Sequence, residues 1–294
     1  MAAYARLLTE RSDPRFARLD RLGASAIVRM MLEQERSVER ALERAAGRIA
    51  RAAEQIASAF RRGGRLFLVG AGTSGRLAVM EATECVPTFG TPPSMVQGII
   101  AGGRRAMTRS IEGAEDDAGA GARALRRRRP APADVVVGIA ASGLTPFVRG
   151  ALKEARRAGC RSVLISSNRT ARCADLMIEL PTGPEVVAGS TRLKAGSAAK
   201  LALNMLTVAA MVRIGKVYGN LMVDVRPNSR KLRARQVRIV STLGRVGAAR
   251  ARAALRRCGG QVKTAIVMLR HGGSARRARA RLAAAGGRLR DLIG

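Results

Sequence analysis

Five short apolar segments, residues 66–69, 95–100, 135–139, 163–165 and 176–180, set the tightest limit on how this chain can fold. They are too short and too rich in β-branched residues to be helices, and most are apolar on both faces. Strands of that texture belong to a parallel sheet with helices packed on either side. Between them lie stretches such as residues 148–158, which have the length and residue types of crossover helices. A doubly wound α/β fold is therefore expected. Ahead of the first strand, Val38, Leu42, Ala45, Ile49, Ala52, Ile56 and Phe60 recur every three or four positions. That spacing predicts one long amphipathic helix within residues 24–62, ended by Gly63 and Gly64. Residues 195–214 are apolar almost all round, which predicts a central, buried helix. After about Pro227 the texture changes to short Arg/Ala/Leu-rich stretches punctuated by glycines, and a small helical bundle is expected. The domain organisation read from these changes is an N-terminal segment with a long helix (1–62), an α/β domain (63–226) and a helical C-terminal domain (227–294).

Composition removes several classes. Residues 1–13 carry Arg6, Glu10, Arg11 and Asp13 and lack the apolar stretch of a secretory signal. The longest apolar run, residues 201–212, contains Asn204 and falls short of the roughly 20 residues that cross a bilayer. A cytoplasmic protein without a membrane span is expected. Cys85, Cys160, Cys173 and Cys258 stand singly, without the close pairs of a zinc or redox motif, and His271 has no carboxylate or cysteine beside it, so no metal is expected. The net charge of +33 would suit a polyanion partner. However, the basic residues run along the whole chain, all but six of the 54 are arginine, and aromatics make up only 2%. Single-strand binders stack bases on aromatics, so no specific nucleic-acid partner is expected.

The loops after the strands carry the chemistry. The first strand runs into Gly70-Ala71-Gly72-Thr73-Ser74-Gly75-Arg76 and then a helix. The glycines let the backbone approach an anion, and the helix start offers free amides and the positive end of a dipole. The same string fits the dinucleotide fingerprint, which also asks for an acid about 20 residues on. Gly98-Ile99-Ile100-Ala101-Gly102 supplies none, so no nucleotide cofactor is expected. The loop does carry two hydroxyls, Thr73 and Ser74. After the third strand, Ala141-Ser142-Gly143-Leu144-Thr145-Pro146 repeats the arrangement with Ser142 and Thr145. A third loop, Gly189-Ser190-Thr191-Arg192-Leu193-Lys194, adds Ser190, Thr191 and Lys194. One serine-rich turn is more often a helix cap than a site. Three at strand-to-helix junctions favour a site for a phosphorylated small molecule.

The chain has 21 acidic residues, and many cluster in two places: Glu81 with Glu84, and Glu112, Glu115, Asp116 and Asp117. They either balance arginines or include an acid/base pair; from the residues alone both readings stay open.

Ordered matches extend this reading. Gly70-Ala71-Gly72-Thr73-Ser74-Gly75-Arg76-Leu77, Glu84-Cys85, Pro87-Thr88-Phe89-Gly90, Ile111-Glu112-Gly113-Ala114-Glu115-Asp116-Asp117, Ala140-Ala141-Ser142-Gly143 and Gly215-Lys216-Val217-Tyr218-Gly219-Asn220-Leu221-Met222-Val223-Asp224-Val225 resemble the N-acetylmuramic acid 6-phosphate etherase family. The likeness runs from Thr9-Glu10 to Lys263-Thr264-Ala265-Ile266-Val267-Met268, and departs at Leu144 and Phe147, where relatives often carry Arg and Tyr. It implies a sugar isomerase (SIS) domain and a metal-free homodimeric lyase of cell-wall recycling, with no cofactor. It further implies Glu115 as the base and Glu84 as the proton donor. Glu84 lies nine residues beyond Gly75, about 13 Å along an unbroken helix. Either that helix ends early and residues 86–93 fold back, or Glu84 reaches the site of a second subunit; a site shared between two subunits is expected. Thr73, Ser74, Ser142, Thr145, Ser190, Thr191 and Lys194 are the expected substrate and phosphate ligands. A non-catalytic sugar-phosphate regulator, similar to the glucokinase regulatory protein, and a sugar-phosphate isomerase are the alternatives.

Overall fold

The computed structural model describes residues 7–227 and 229–294; Asn228 and the first six residues, Arg6 among them, lie outside the described residues. Five strands, β1 (Leu66–Gly70), β2 (Val96–Ile100), β3 (Val135–Ile139), β4 (Arg161–Ser166) and β5 (Leu176–Glu179), form one sheet in the order β2-β1-β3-β4-β5. Every pairing is parallel, with Gly70 opposite both Ile100 and Ile139. Ten α-helices accompany it among the described residues. They are α1 (Ala24–Arg61), α2 (Gly72–Phe89), α3 (Ala118–Arg126), α4 (Pro146–Arg157), α5 (Lys194–Arg213), α6 (Arg230–Gly244), α7 (Ala248–Arg257), α8 (Val262–His271), α9 (Ala275–Ala284) and α10 (Arg290–Ile293). The chain divides into two compact units, Met1–Ala82 with Met95–Thr207, and Thr83–Ser94 with Val208–Gly294.

In the first unit the strand alternation sends side chains to opposite faces. Phe67, Val69, Val136 and Leu164 join Phe147, Val148, Ala151 and Leu152 of α4 and Leu125 of α3 in one core. α1 packs against β3 and β5, and its predicted stripe, Val38 to Phe60, is buried throughout. The double coverage expected from the apolar strands is thus present. Each large side chain taken fully out of water stabilises the fold by about 1.5–3 kcal/mol, and Phe67, Leu68, Ile139, Leu164 and Ile165 are among those buried almost completely. At the amino edge, Asp134 accepts bonds from the amides of Arg65 (2.7 Å) and Ala131 (2.8 Å) and from the Arg65 guanidinium (2.7 Å), which fixes the Arg-rich segment that follows α3.

Arg126 joins α3 to α4 by donating Nε and a terminal amine to both oxygens of Glu154, at 2.8 and 2.7 Å. The hydrogen-bonded guanidinium holds the Glu154 carboxyl below its usual range. A depressed folded-state pKa contributes stability above the unfolded value, and that contribution disappears as pH falls through the folded one. Glu154→Gln should therefore lower the urea midpoint slightly at pH 7, with the gap to the parent closing on acidification below about pH 4; equal midpoints at pH 7 would refute this.

α5 differs from expectation. Ala195, Ala198, Ala202, Leu203 and Leu206 are buried, but Leu201, Met205, Val208 and Val212 are 37–48% exposed. These four recur at helical spacing and form one outward stripe, so the helix is buried on one side only. Its length and mean hydropathy of 1.4 would suit a membrane span by composition. Inside the fold, however, Asn204 and Thr207 donate hydrogen bonds to buried Glu81 of α2.

In the second unit α6 to α9 surround a core of Leu232, Ile239, Val240, Leu255, Ile266, Val267 and Leu282. Gln236 braces it by donating to the carbonyls of Val225 and Gly260, both at 3.1 Å.

Candidate active site

β1 has β2 on one side and β3 on the other, so the crossover leaving β1 for β2 and the one leaving β3 for β4 run in opposite directions and part at the carboxyl ends of β1 and β3. Such a switch point opens a crevice in a doubly wound sheet. The loops after these two strands line a cavity of about 480 Å³.

In the first loop the Gly75 amide donates to the Ala71 carbonyl at 3.1 Å. A Cβ on Gly70 would lie 2.6 Å from the Gly75 nitrogen, so only glycine lets the strand turn into α2 this sharply. The turn puts Thr73 and Ser74, both lining the cavity, in the first turn of α2, where unpaired amides favour an anion. In the second loop the Ala141 carbonyl accepts from the Ser167 amide and from Asn168 Nδ2, each at 2.9 Å. Ser142 Oγ accepts from the Leu144 amide at 3.1 Å. Thr145 precedes α4 without capping it by its side chain, which leaves that hydroxyl to the cavity it lines.

The third loop divides. Gly189 and Thr191 line the same cavity; Ser190 does not, and Lys194 lines a different one. The amides of Lys194 and Ala195, which an anion at the start of α5 would need, donate instead to Glu185 at 3.0 and 2.9 Å. Burial raises the Glu185 pKa, against the pull of those amides.

The carboxylates divide as well. Glu115 and Asp116 line the cavity, and Glu115 also lines an adjoining recess of about 310 Å³ together with Arg76, Arg109 and Glu112. The Glu115 carbonyl accepts from the Phe147 amide of α4 at 2.9 Å, so the 111–117 loop is tied to a core helix. Asp117 serves as the cap of α3, accepting from the Ala120 amide at 2.7 Å and pairing with Arg123. Glu81 is buried against α5. Glu84 is exposed and absent from the cavity lining. α2 runs unbroken past it, and nine residues beyond Gly75 correspond to about 13 Å of helix. The structure thus brings together Thr73, Ser74, Ser142, Thr145, Thr191 and Glu115, and leaves Ser190, Lys194 and Glu84 apart.

Glu10 is a lining residue that no local motif announced. The side chain of Asn168 accepts from the Leu8 amide at 2.7 Å and donates to Thr9 Oγ1 at 3.1 Å, while the Gly189 amide donates to the Thr9 carbonyl at 3.0 Å. These bonds carry Glu10 to the cavity wall, where a Cβ on Gly189 would lie 3.0 Å from its Oε2. Only the three-dimensional neighbourhood of Asn168 could have revealed it.

A larger cavity, about 720 Å³, lies in the second unit. Its lysines are engaged: Asp224 accepts from Lys263 at 2.7 Å and pairs with Lys216 at 3.3 Å. Among the described residues no group of three His, Cys, Asp or Glu side chains is placed to hold a metal ion.

Comparison with known proteins fits this geometry. Residues 48–156 match the family described as the glucokinase regulatory protein N-terminal SIS domain. The N-acetylmuramic acid 6-phosphate etherase of Rubrobacter xylanophilus is 50% identical over 291 residues, 98% of this chain and 96% of that protein. Those of Gloeobacter violaceus (52% identical, 90% of this chain, 87% of that protein) and Deinococcus radiodurans (46%, 97% and 95%) are similar to the same extent. Matches at this identity over 87–98% of both chains leave one conclusion: the chain belongs to the N-acetylmuramic acid 6-phosphate etherase family.

Proposed function

We propose that this protein is a lyase that cleaves the lactyl ether of N-acetylmuramic acid 6-phosphate, giving N-acetylglucosamine 6-phosphate and D-lactate. Near-half identity to etherases over 98% of the chain carries the reading. A cavity at the sheet's switch point, lined by hydroxyls from three loops and by carboxylates, suits it chemically.

The 6-phosphate lies against the first turn of α2, with Thr73, Ser74, Ser142, Thr145 and Thr191 as donors. Opening the sugar ring exposes the C1 aldehyde and acidifies the hydrogen on C2. Glu115 removes that proton, the C2=C3 bond forms, and the C3–O bond breaks as a second carboxylic acid protonates the departing lactyl oxygen. Water then adds across the double bond, delivering hydroxyl to C3 and a proton to C2. Glu84 is the proton donor and acts in the site of a second copy of the chain. Two observations support that assignment: Glu84 stands about 13 Å along α2 from the phosphate loop, and it lies one turn beyond Met80, which is 41% exposed. The outward stripe of α5 gives the second copy an apolar face to cover, at home in a homodimer. Confinement to the cytoplasm follows from a substrate that is a phosphorylated intermediate of cell-wall recycling.

Incubating the protein with N-acetylmuramic acid 6-phosphate and assaying D-lactate tests the function directly. A protein that binds the sugar without releasing lactate would be a regulator instead. In the same assay Ser142→Ala is expected to raise KM about tenfold, since a hydrogen bond to a charged group contributes about 1.5–3 kcal/mol, with kcat changed less. An unaltered KM would remove Ser142 from the phosphate site.

A further inference from the structure

Lys194 opens α5 with only 3% of its surface exposed. An ammonium carries three donors, yet among the described residues its one hydrogen-bond partner is Gln34 Oε1, at 3.4 Å. The nearby carboxylate of Glu185 is spent on two backbone amides. Burial holds the Lys194 pKa below its usual range, against the pull of the Glu185, Asp13 and Glu35 carboxylates. Beside it lies Thr182, 2% exposed, whose hydroxyl has no partner among the described residues. A buried hydroxyl without a partner and a buried ammonium with one long hydrogen bond are costly to leave so.

Both residues line a cavity of about 290 Å³. A water's share of liquid volume is about 30 Å³, so the space admits a small phosphorylated molecule. Arg36 and Arg40, one turn apart on α1, complete its wall, with Arg15 at the rim. Ser37 Oγ donates to the Thr182 carbonyl at 3.0 Å, which fixes this stretch of α1 against the 182–184 loop. Within the lining, Arg15, Arg36, Arg40 and Lys194 face Glu33 as the acidic member; behind it, Asp13 holds Arg15 at 2.6 Å, and Glu185 and Glu35 act on Lys194. None of these residues lines the substrate cavity.

We propose that this cavity is a second anion site, which binds an oxyanion of the phosphate class, free or as a small monoester, between Lys194, Thr182 and the paired arginines of α1. The anion supplies a partner for the Thr182 hydroxyl and further acceptors for Lys194, and Arg36 and Arg40 close over it.

Calorimetric titration of the intact protein with inorganic phosphate, and in a second arm with glycerol 3-phosphate, is expected to show two sites. The tighter-binding arm tells whether the natural ligand is free phosphate or an ester. Arg36→Ala/Arg40→Ala should weaken one site at least about tenfold, in keeping with lost charged hydrogen bonds, while lactate release is unchanged. Ser142→Ala should weaken only the other site. Thr182→Val, nearly isosteric, provides a milder loss at the first. A single site in both arms, or two sites indifferent to the double arginine variant, overturns the proposal.

Discussion

Glu115→Gln is expected to lower kcat for lactate release by about 10²–10⁴, the range that a positioned general base supplies, with little change in KM. The amide keeps the size and hydrogen-bonding reach of the carboxylate but cannot take the C2 proton. The loop should survive, because it is held by its backbone, through the Glu115 carbonyl to Phe147, and by Asp117 at the start of α3. Exchange of the C2 hydrogen of N-acetylglucosamine 6-phosphate in deuterated water should fall in parallel, since it needs the same base. Glu84→Gln should also lose lactate release, while affecting C2 exchange less, because no leaving group needs a proton in that reaction. Mixing the two inactive variants gives the sharpest outcome. If each site takes Glu115 from one subunit and Glu84 from the other, hybrids contain one intact site and recover activity. Hybrids as inactive as their parents would confine both residues to one chain. A Glu115→Gln enzyme with near-parental kcat would take the base assignment away altogether.

The sheet was legible because its strands are buried on both faces: Phe67 with Val69 and Leu66 with Leu68 point to opposite cores, so apolar residues appear without alternation. The hydroxyl loops were legible because strand–glycine–helix junctions are local. What escaped is non-local. Glu10 reaches the cavity through Asn168, 158 positions later in the chain, by way of Thr9. Glu185 caps α5 from nine residues before it. Within one loop the backbone turn decides which side chain faces in, and Thr191 does so while Ser190 does not. Lys194, one helical turn past Thr191, enters a different cavity for the same reason. The outward face of α5 was hidden by uniformity, because a helix apolar all round has no polar residues to mark its exposed side.

Gly150→Ala tests how the packing of α3 on α4 holds the site. In an ordinary exposed helix this substitution gains about 1 kcal/mol in propensity. Here a Cβ on Gly150 would lie 1.9 Å from the Ala118 carbonyl oxygen, and one on Gly121 would lie 1.9 Å from that of Phe147. Each glycine therefore receives the backbone of the other helix, and no side-chain rotation can relieve the clash. Overpacking costs about 1–3 kcal/mol, occasionally more, and contact with backbone places these sites at the upper end. A net loss of about 2 kcal/mol is expected for either alanine. Gly47→Ala on α1, where the added methyl meets nothing within 4 Å, should instead stabilise by about 0.4–1 kcal/mol. Urea denaturation of the three variants reads both signs in one experiment, and a Gly150→Ala protein as stable as the parent would refute the close approach. The consequence extends to catalysis. Pushing the helices apart moves the Phe147 amide that holds Glu115 and the α3 start that Asp117 caps. A misplacement of about 1 Å can cost roughly 10² in rate, so under native conditions Gly150→Ala should lose kcat while still folded, and Gly47→Ala should keep it.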